Sequence, residues 1–269
     1  MAGNPAGSEA VSDRVTTSIH DGIADVRLAR PDKMNAIDPA MFEGIGAAID
    51  ALATRTDVRC VVLSGEGRSF CAGLDMASMQ AGGSGTGRER NEHGSILPQH
   101  VSWGWRQLPM PVIAAVHGVA FGGGFQIMSG ADIRIAAPDA RFAIRESYWG
   151  LVPDMAGFPL WRTLVRDDVL RELTYTAREF DAAEALHHGF ITRIADDPHA
   201  AAMDLARQIV ARSPHAVRGA KRLCNMAHDT DPRAMLEAET DEQIKVIGKP
   251  NMMEQVRAHM EKRQAVFTD

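Results

Sequence analysis

The stretch VIAAVHGVAFGGGFQ, residues 112–126, combines an apolar strand, a short turn and three consecutive glycines at the start of a predicted helix. The first N–H groups of a helix lack partners inside it, and with the positive end of the helix dipole they favour a bound negative charge. The stretch lacks the Lys-Ser or Lys-Thr of a phosphate loop and the G-x-G-x-x-G spacing, which favours a developing oxyanion over a nucleotide phosphate. Close packing of the helix on the strand would explain the same glycines, so this stretch alone leaves both alternatives open.

A second stretch has the same organisation. Residues 59–65, RCVVLSG, are typical of a buried strand, and SFCAGLDM follows at residues 69–76. Gly73 permits an unusual backbone turn just before a predicted helix start at Asp75. Two such junctions whose N–H groups meet on one carbonyl oxygen would form an oxyanion hole, which stabilises an enolate-like transition state. The ordered pair is more specific than either stretch alone.

With these two stretches the chain resembles the crotonase superfamily, which contains the enoyl-CoA hydratases and isomerases. RPDKMNAI at residues 30–37, ADIRIA at 131–136 and the segment 182–191 carry the resemblance further, from about Val15 to the C-terminus. It implies an α/β (α+β) fold, a spiral of repeated ββα units with a C-terminal helical region, assembled as homotrimers or dimers of trimers. It also implies an acyl-CoA thioester as substrate, with coenzyme A present only as part of that substrate and no separate cofactor.

Local patterns divide the chain into three predicted segments: a flexible N-terminus over 1–13, a core over 14–195 and a helical region over 196–269. Alternating residues around Asp21-Gly22 predict a β-hairpin. Asp38 followed by Pro39 predicts the start of a helix that runs to about Ala53. The glycine-rich segment 81–87 is expected to be a surface loop or a lid that adapts to the substrate.

Composition restricts the partners and the compartment. The net charge of −6, the mean hydropathy of −0.17 and the lack of a basic stripe argue against nucleic acid or a membrane surface as partner. The start of the chain lacks a signal-peptide pattern, and no apolar run approaches the roughly 20 residues of a membrane span. Cys60, Cys71 and Cys224 are odd in number and widely spaced, which indicates reduced thiols. A cytoplasmic enzyme is therefore expected.

The resemblance assigns backbone and binding positions. The N–H groups of Leu74 and Gly123 are implied to hold the thioester oxygen. Four positions are implied to contact coenzyme A: Lys33, Met34, Ala72 and Lys262. Ala72 would offer its carbonyl to the adenine, and Lys262 would reach a phosphate across a subunit boundary. A solvated surface lysine is the alternative explanation for Lys262.

Carboxylates decide the reaction. Typical hydratases of the family use two glutamates to hold and activate one water, but the first of these positions is Gln126 here. An amide cannot act as a general base, although it can hydrogen-bond a water or polarise a group. The second position is Glu146, and eight residues later Asp154 stands where hydratases often have glycine and dienoyl-CoA isomerases have aspartate. Gln126, Glu146 and Asp154 are the predicted catalytic set.

Each carboxylate also has a structural explanation. Glu146 could form a surface salt bridge with Arg141 or Arg145, and Asp154 could initiate a turn after Pro153. No spacing of histidines, cysteines and carboxylates predicts a metal site. The predicted function is double-bond isomerisation of an enoyl- or dienoyl-CoA in fatty-acid metabolism, since this needs no bound water. Hydration of a 2-enoyl-CoA and simple acyl-CoA binding with weak catalysis are the alternatives.

Overall fold

The computed structural model describes residues 8–80 and 89–269, which form a seven-stranded sheet and a three-stranded sheet. The strands in chain order are β1 (Ser8–Ser12), β2 (Val15–His20), β3 (Ile23–Leu28), β4 (Cys60–Gly65), β5 (Val112–Val116), β6 (Val119–Phe121), β7 (Ile133–Ala136), β8 (Arg141–Ala143), β9 (Phe180–Asp181) and β10 (Arg193–Ile194). The large sheet has the order β1-β2-β3-β4-β5-β7-β10, and the small sheet has the order β6-β8-β9.

Helices cover both sheets and continue beyond them. They are α1 (Pro39–Ala53), α2 (Met76–Gln80), α3 (Leu97–Gln107), α4 (Gly123–Ser129), α5 (Gly157–Trp161), α6 (Asp167–Thr176), α7 (Ala182–His188), α8 (Pro198–Val210), α9 (Pro214–Met226), α10 (Pro232–Val246) and α11 (Pro250–Met260). Short 3-10 turns lie at Pro31–Lys33 and Glu146–Trp149. Within the described ranges, no helix combines the length and hydropathy needed to cross a membrane.

The local predictions for the first third of the chain are confirmed. Strands β2 and β3 pair antiparallel around Asp21-Gly22, where His20 lies opposite Ile23. Helix α1 begins after Asp38, whose Oδ1 accepts a hydrogen bond of 2.8 Å from the backbone N–H of Met41. This side chain satisfies one of the N–H groups that a helix start leaves without a partner.

The parallel part of the large sheet places the candidate site. Strands β3, β4, β5 and β7 run parallel, so their carboxyl ends meet at one edge of the sheet. The segments that leave this edge are residues 30–37 after β3, 66–75 after β4 and 117–122 after β5. They are the three stretches whose motifs carry functional predictions, and the sheet order makes them neighbours.

An aromatic cluster fixes helix α4. The Phe125 ring is fully buried and lies with its centroid 5.2 to 6.1 Å from four other rings, those of Phe142, Trp161, Phe180 and Phe190. Such edge-to-face and tilted contacts restrain both the rotation and the position of the helix. Because Phe125 is flanked by Gly124 and Gln126, the cluster also fixes the start of α4 and the amide of Gln126.

The segment boundaries differ from the sequence prediction in two places. Residues 8–12 form β1, which pairs with β2, so the prediction of a flexible segment over 1–13 is corrected for them; residues 1–7 lie outside the described part of the chain. Helix α8 packs on β4 and β5 through Ala202 and Ala206, so the helical region that starts at 196 contributes to the core. The predicted loop or lid around 81–87 lies outside the described residues.

A buried lysine fastens the C-terminal helices to the sheet. Lys221 of α9 is 7% exposed, and its Nζ donates to the carbonyls of Trp105 and Met110 and lies 2.8 Å from Oδ2 of Asp132. Burial lowers the pKa of Lys221, while the Asp132 carboxylate opposes that shift. The Asp132 carboxylate and the two carbonyls replace the hydration that the ammonium group of Lys221 loses on burial.

We expect Lys221→Met to lower the free energy of unfolding by about 3 kcal/mol, because it leaves a carboxylate and two carbonyls without their partner. Urea unfolding at one fixed protein concentration measures this loss. The matched control is Arg222→Met, which removes the neighbouring but exposed cation and should cost less than about 1 kcal/mol. Equal effects for the two variants would contradict the anchoring role of Lys221.

Candidate active site

The loop after β4 is built against the segment after β3. The N–H of Ile37 donates to the carbonyl of Gly73 (2.8 Å), and the N–H of Asp75 donates to the carbonyl of Ile37 (2.9 Å). In such a parallel bridge, the residue between the two bonded ones directs its own N–H to the opposite side. That residue is Leu74, whose N–H donates to no other group in the described ranges.

Two glycine backbones bring the second donor next to the first. Gly73 has φ +92°, and a Cβ there would lie 2.7 Å from the carbonyl oxygen of Phe121 and 3.8 Å from the nitrogen of Gly123. Gly122 has φ +49° and donates its own N–H to Ala143, so Gly123 supplies the first uncommitted N–H of α4. The predicted donor positions, Leu74 and Gly123, therefore lie side by side.

Two adjoining cavities open around these donors. The first cavity, about 160 Å³, is lined by both donors, Glu146 and Trp149 among others, and is called the oxyanion cavity after the role predicted for those donors. The apolar cavity, about 200 Å³, is lined mainly by aliphatic and aromatic side chains, with Glu146 and Asp154 on its wall. Leu74, Glu146 and Leu151 border both cavities, so a ligand carbonyl held in the first can extend a chain into the second.

Glu146 stands at the junction of the two cavities. It is 6% exposed, and its Oε1 accepts a hydrogen bond of 2.6 Å from Nε2 of Gln126. Its Oε2 is buried and has no hydrogen-bond partner among the described residues. Burial raises the pKa of Glu146, the negative charge of Asp154 adds to this, and the Gln126 hydrogen bond opposes it. A buried carboxylate with one free oxygen is suited to take up a proton.

The alternative of a surface salt bridge for Glu146 is wrong. Arg145 lies 3.5 Å from Glu179, and Arg141 lies 3.9 Å from the same carboxylate. Both arginines thus pair with Glu179, whereas Glu146 is buried and forms a salt bridge with neither of them.

Asp154 lies at a different depth. It borders the apolar cavity but not the oxyanion cavity, and its carboxylate accepts no hydrogen bond from another described residue. Partial removal from water raises its pKa, although this side chain keeps part of its surface exposed. Both carboxylates therefore border the apolar cavity, but only Glu146 also borders the cavity of the two donors, whereas Asp154 borders a further cavity lined by Trp103 and Phe158 among others.

Gln126 lies behind Glu146, away from the two cavities. Its side chain is fully buried and lines neither cavity. Its Oε1 accepts from the N–H groups of Met155 (2.9 Å) and Gly157 (3.0 Å), while its Nε2 donates to Glu146. The amide thus joins Glu146 to the turn that carries Asp154, and its catalytic role stays a prediction.

The predicted coenzyme A positions come together only in part. The N–H of Ala72 donates to the carbonyl of Met34 (2.9 Å), and Ala72 borders the oxyanion cavity. Lys33 is exposed on the 3-10 turn just before Met34. Lys262 follows α11 and borders neither cavity, so within one chain it is not part of this site.

Arg30 was not singled out by sequence reasoning. Its Nη1 lies 2.8 Å from Oδ2 of Asp75 and 3.5 Å from Oδ2 of Asp38, and both aspartates border the apolar cavity. The available signal was its position before Pro31 in the early motif, at the carboxyl end of β3.

Comparison with known proteins assigns the chain to a family. The enoyl-CoA hydratase/isomerase family model matches residues 18–269. The chain is 32% identical over 265 residues to the mitochondrial Delta(3,5)-Delta(2,4)-dienoyl-CoA isomerase of Mus musculus, covering 92% of this chain and 79% of that protein. It is 33% identical over 247 residues to the enoyl-CoA hydratase EchA19 of Mycobacterium tuberculosis, covering 90% and 91%.

A solved structure agrees. The crystal structure of an enoyl-CoA hydratase from Mycobacterium tuberculosis H37Rv superposes with a TM-score of 0.84 at 28% identity, covering 96% of this chain and 99% of that one. The fold is therefore the α/β fold of the crotonase superfamily, with a C-terminal helical region. Within it, the chain belongs to the enoyl-CoA hydratase/isomerase family.

The thiol of Cys71 lies near the site but is not suited to act as a nucleophile. Cys71 is fully buried beneath the oxyanion loop, its Sγ donates to the carbonyl of Asn35, and burial raises the pKa of this thiol to about 12. A thiol with that pKa is not a nucleophile at neutral pH. In the parts of the chain that are described, no cluster of three metal-ligating side chains occurs.

We expect iodoacetamide at pH 8 to modify Cys224 in the folded protein, because this thiol is exposed, and to leave Cys60 and Cys71 unmodified. Burial raises the pKa of both unmodified thiols to about 12. Mass spectrometry of peptides measures the labelling, and the same protein in urea, where all three should react, is the control. Rapid labelling of Cys71 in the folded protein would contradict its burial.

Proposed function

We propose that the protein is an acyl-CoA isomerase of fatty-acid metabolism that moves double bonds in an enoyl- or dienoyl-CoA. One observation carries the proposal: Glu146 and Asp154 both border the apolar cavity, only Glu146 also borders the cavity of the two donors, and Gln126 donates to Oε1 of Glu146 while Oε2 is free. The family acts on acyl-CoA thioesters, and the mouse relative is named a dienoyl-CoA isomerase.

For a 3,5-dienoyl-CoA the proposed steps balance as a 1,5 proton shift. The N–H groups of Leu74 and Gly123 hold the thioester oxygen in the oxyanion cavity. Oε2 of Glu146 takes a proton from C2, and the negative charge moves to the thioester oxygen, where both donors stabilise it. Asp154, which borders only the apolar cavity, delivers a proton to C6, and the double bonds move to the 2 and 4 positions. Glu146 then releases its proton to solvent and Asp154 takes one up, which restores both groups. The raised pKa of Asp154 favours the protonated form that this step requires.

Hydration of a 2-enoyl-CoA is the second candidate. Similarity to the hydratase EchA19 favours it. Against it, the position of the first hydratase glutamate holds Gln126, whose NH₂ group donates to Oε1 of Glu146 (2.6 Å) and cannot act as a general base. Acyl-CoA binding with weak catalysis is the third possibility, and the turnover measurements below separate all three.

The remaining features of the proposal concern partners and compartment. We propose that coenzyme A enters only as part of the substrate, that no other cofactor takes part, and that the enzyme works in the cytoplasm without nucleic acid or membrane. We also propose a homotrimer or a dimer of trimers. Helices α10 and α11 support this, because they carry exposed apolar side chains such as Leu236, Ile244 and Met253. In such an assembly Lys262 of one subunit can reach coenzyme A bound to another.

We expect Glu146→Gln to abolish both product formation and exchange of the C2 proton with solvent, because the base is lost. Asp154→Asn should slow product formation from a 3,5-dienoyl-CoA about a hundredfold while the C2 proton still exchanges. NMR in deuterium oxide follows both reactions in one sample.

The control for these variants is Asp139→Asn, which removes an exposed carboxylate outside both cavities. Full activity of Asp154→Asn would replace the two-carboxylate proposal by a single-base 3-enoyl to 2-enoyl isomerase. Rapid hydration of crotonyl-CoA by the unmodified enzyme would instead establish the hydratase.

The pH dependence gives a further expectation. Glu146 must be ionised to act as the base, and its pKa is raised, so kcat/KM should fall as the pH drops through a value above that of an ordinary glutamate. Gln126→Glu places a second carboxyl 2.6 Å from Oε1 of Glu146, and the pair will retain a shared proton. The acid limb should therefore move up by about one pH unit or more. An unchanged limb would contradict the contact between these two side chains during catalysis.

A further inference from the structure

We propose that Arg30 is a positioning residue that holds the Leu74 N–H in the orientation needed to stabilise the oxyanion. The proposal deepens the proposed function and rests on it only in requiring that a thioester oxygen binds at Leu74. It does not depend on whether the reaction is an isomerisation or a hydration.

The contacts of Arg30 connect three segments of the site. Its Nη1 donates to the carbonyl of Ala36 (2.9 Å) and lies 2.8 Å from Asp75 and 3.5 Å from Asp38. The three charged side chains are 10 to 14% exposed, so water competes little for these contacts. The guanidinium thus ties the segment after β3 to the start of α1 and to the loop after β4.

Asp75 transmits this restraint to the oxyanion donor. It follows Leu74 directly, and its N–H donates to Ile37 while its Oδ1 accepts from the N–H groups of Ala77 and Ser78 at the start of α2. The peptide N–H of Leu74 therefore lies between Gly73, whose carbonyl is bonded, and Asp75, which Arg30 fixes. Removing the guanidinium releases one side of this arrangement, and a displacement of about 1 Å is enough to cost a hundredfold in rate.

The same guanidinium controls charge at the cavity wall. Asp38 and Asp75 border the apolar cavity together with Glu146 and Asp154, so four carboxyl groups face one space of about 200 Å³. Without Arg30, Asp75 would lose its cation and oppose the negative charge that develops on the substrate, whereas Asp38 would keep its pair with Arg14. Both effects act on the transition state more strongly than on the bound substrate.

The test compares Arg30→Met and Arg30→Lys with the matched control Arg14→Met. Arg14 pairs with Asp38 at 2.9 Å, whereas the ion pair of Asp75 is made by Arg30. The loss of Arg14 therefore removes a cation from the same cluster without breaking the ion pair of Asp75. Two quantities are measured for each protein: kcat and KM for the dienoyl-CoA substrate, and by calorimetry the affinity for a saturated acyl-CoA relative to its thioether analogue, which lacks the carbonyl.

We expect the unmodified protein and Arg14→Met to prefer the thioester about tenfold. Arg30→Met should lose this preference, with KM rising by no more than about the same tenfold, and should in addition lose about a hundredfold in kcat. Arg30→Lys should restore part of both, because a lysine keeps the charge beside Asp75 but not the full set of contacts.

Retention of the thioester preference and of kcat in Arg30→Met would overturn the proposal. If that variant does not fold, as judged by circular dichroism, Asp75→Asn carries the test, because asparagine keeps an oxygen for Ala77 and Ser78 but loses the ion pair. Equal affinity of the unmodified protein for thioester and thioether would remove the oxyanion hole and this inference with it. A thioester preference that depends on Arg30, in a protein that does not isomerise dienoyl-CoA, would support the inference and reject only the proposed reaction.

Discussion

The backbone of residues 71–75 is hydrogen-bonded on both sides, and the rest of the site depends on this constraint. On one side, Cys71 exchanges hydrogen bonds with the segment 119–121; on the other, Ala72, Gly73 and Asp75 pair with the segment 34–37. The N–H groups of Cys71, Ala72 and Asp75 and the carbonyls of Cys71 and Gly73 are thereby committed to neighbours. The Leu74 N–H is left over because both of its flanking residues bond to the same side, so a single donor faces the cavity beside the start of α4.

Gln126 restrains Glu146 and the turn that carries Asp154 in the same way, through hydrogen bonds. One amide satisfies two backbone donors from the 155–157 turn and one oxygen of Glu146, all without access to water. Buried polar groups are usually hydrogen-bonded, and here the amide supplies a partner to both N–H groups and to Oε1 of Glu146, while Oε2 of Glu146 is left without one among the described residues. The aromatic rings around Phe125 hold the helix that carries this amide, so packing and polarity reinforce one geometry.

Local signals explain what could be predicted from the sequence. The Asp21-Gly22 hairpin, the Asp38 cap of α1 and the two strand–glycine–helix junctions depend on residues within a few positions of each other, and all of them are present. The carboxylates Glu146 and Asp154 could be named because the family resemblance supplied their register, and the structure places both on one cavity.

Long-range contacts explain what could not be predicted. The partners of Gln126 lie 20 to 31 residues away, and the choice between facing a cavity and facing a buried turn is made by packing that no short pattern records. Arg30, which follows β3, pairs with Asp75, which follows β4. Helix α8 packs on β4 although more than a hundred residues separate them in the sequence. Strand β1 lacks the alternation of a buried strand and is defined by its pairing with β2.

The unequal environment of the two oxygens of Glu146 has a stereochemical consequence. Because Oε1 is held by Gln126 and only Oε2 is free, the carboxylate approaches a chain in the apolar cavity from one direction. In the proposed reaction, the two hydrogens on the prochiral carbon next to the thioester would then be distinguishable, because a carboxylate that approaches from one side takes only one of them. The buried hydrogen bond between Gln126 and Glu146 would thereby favour stereospecific removal of a proton from a carbon that is not itself chiral.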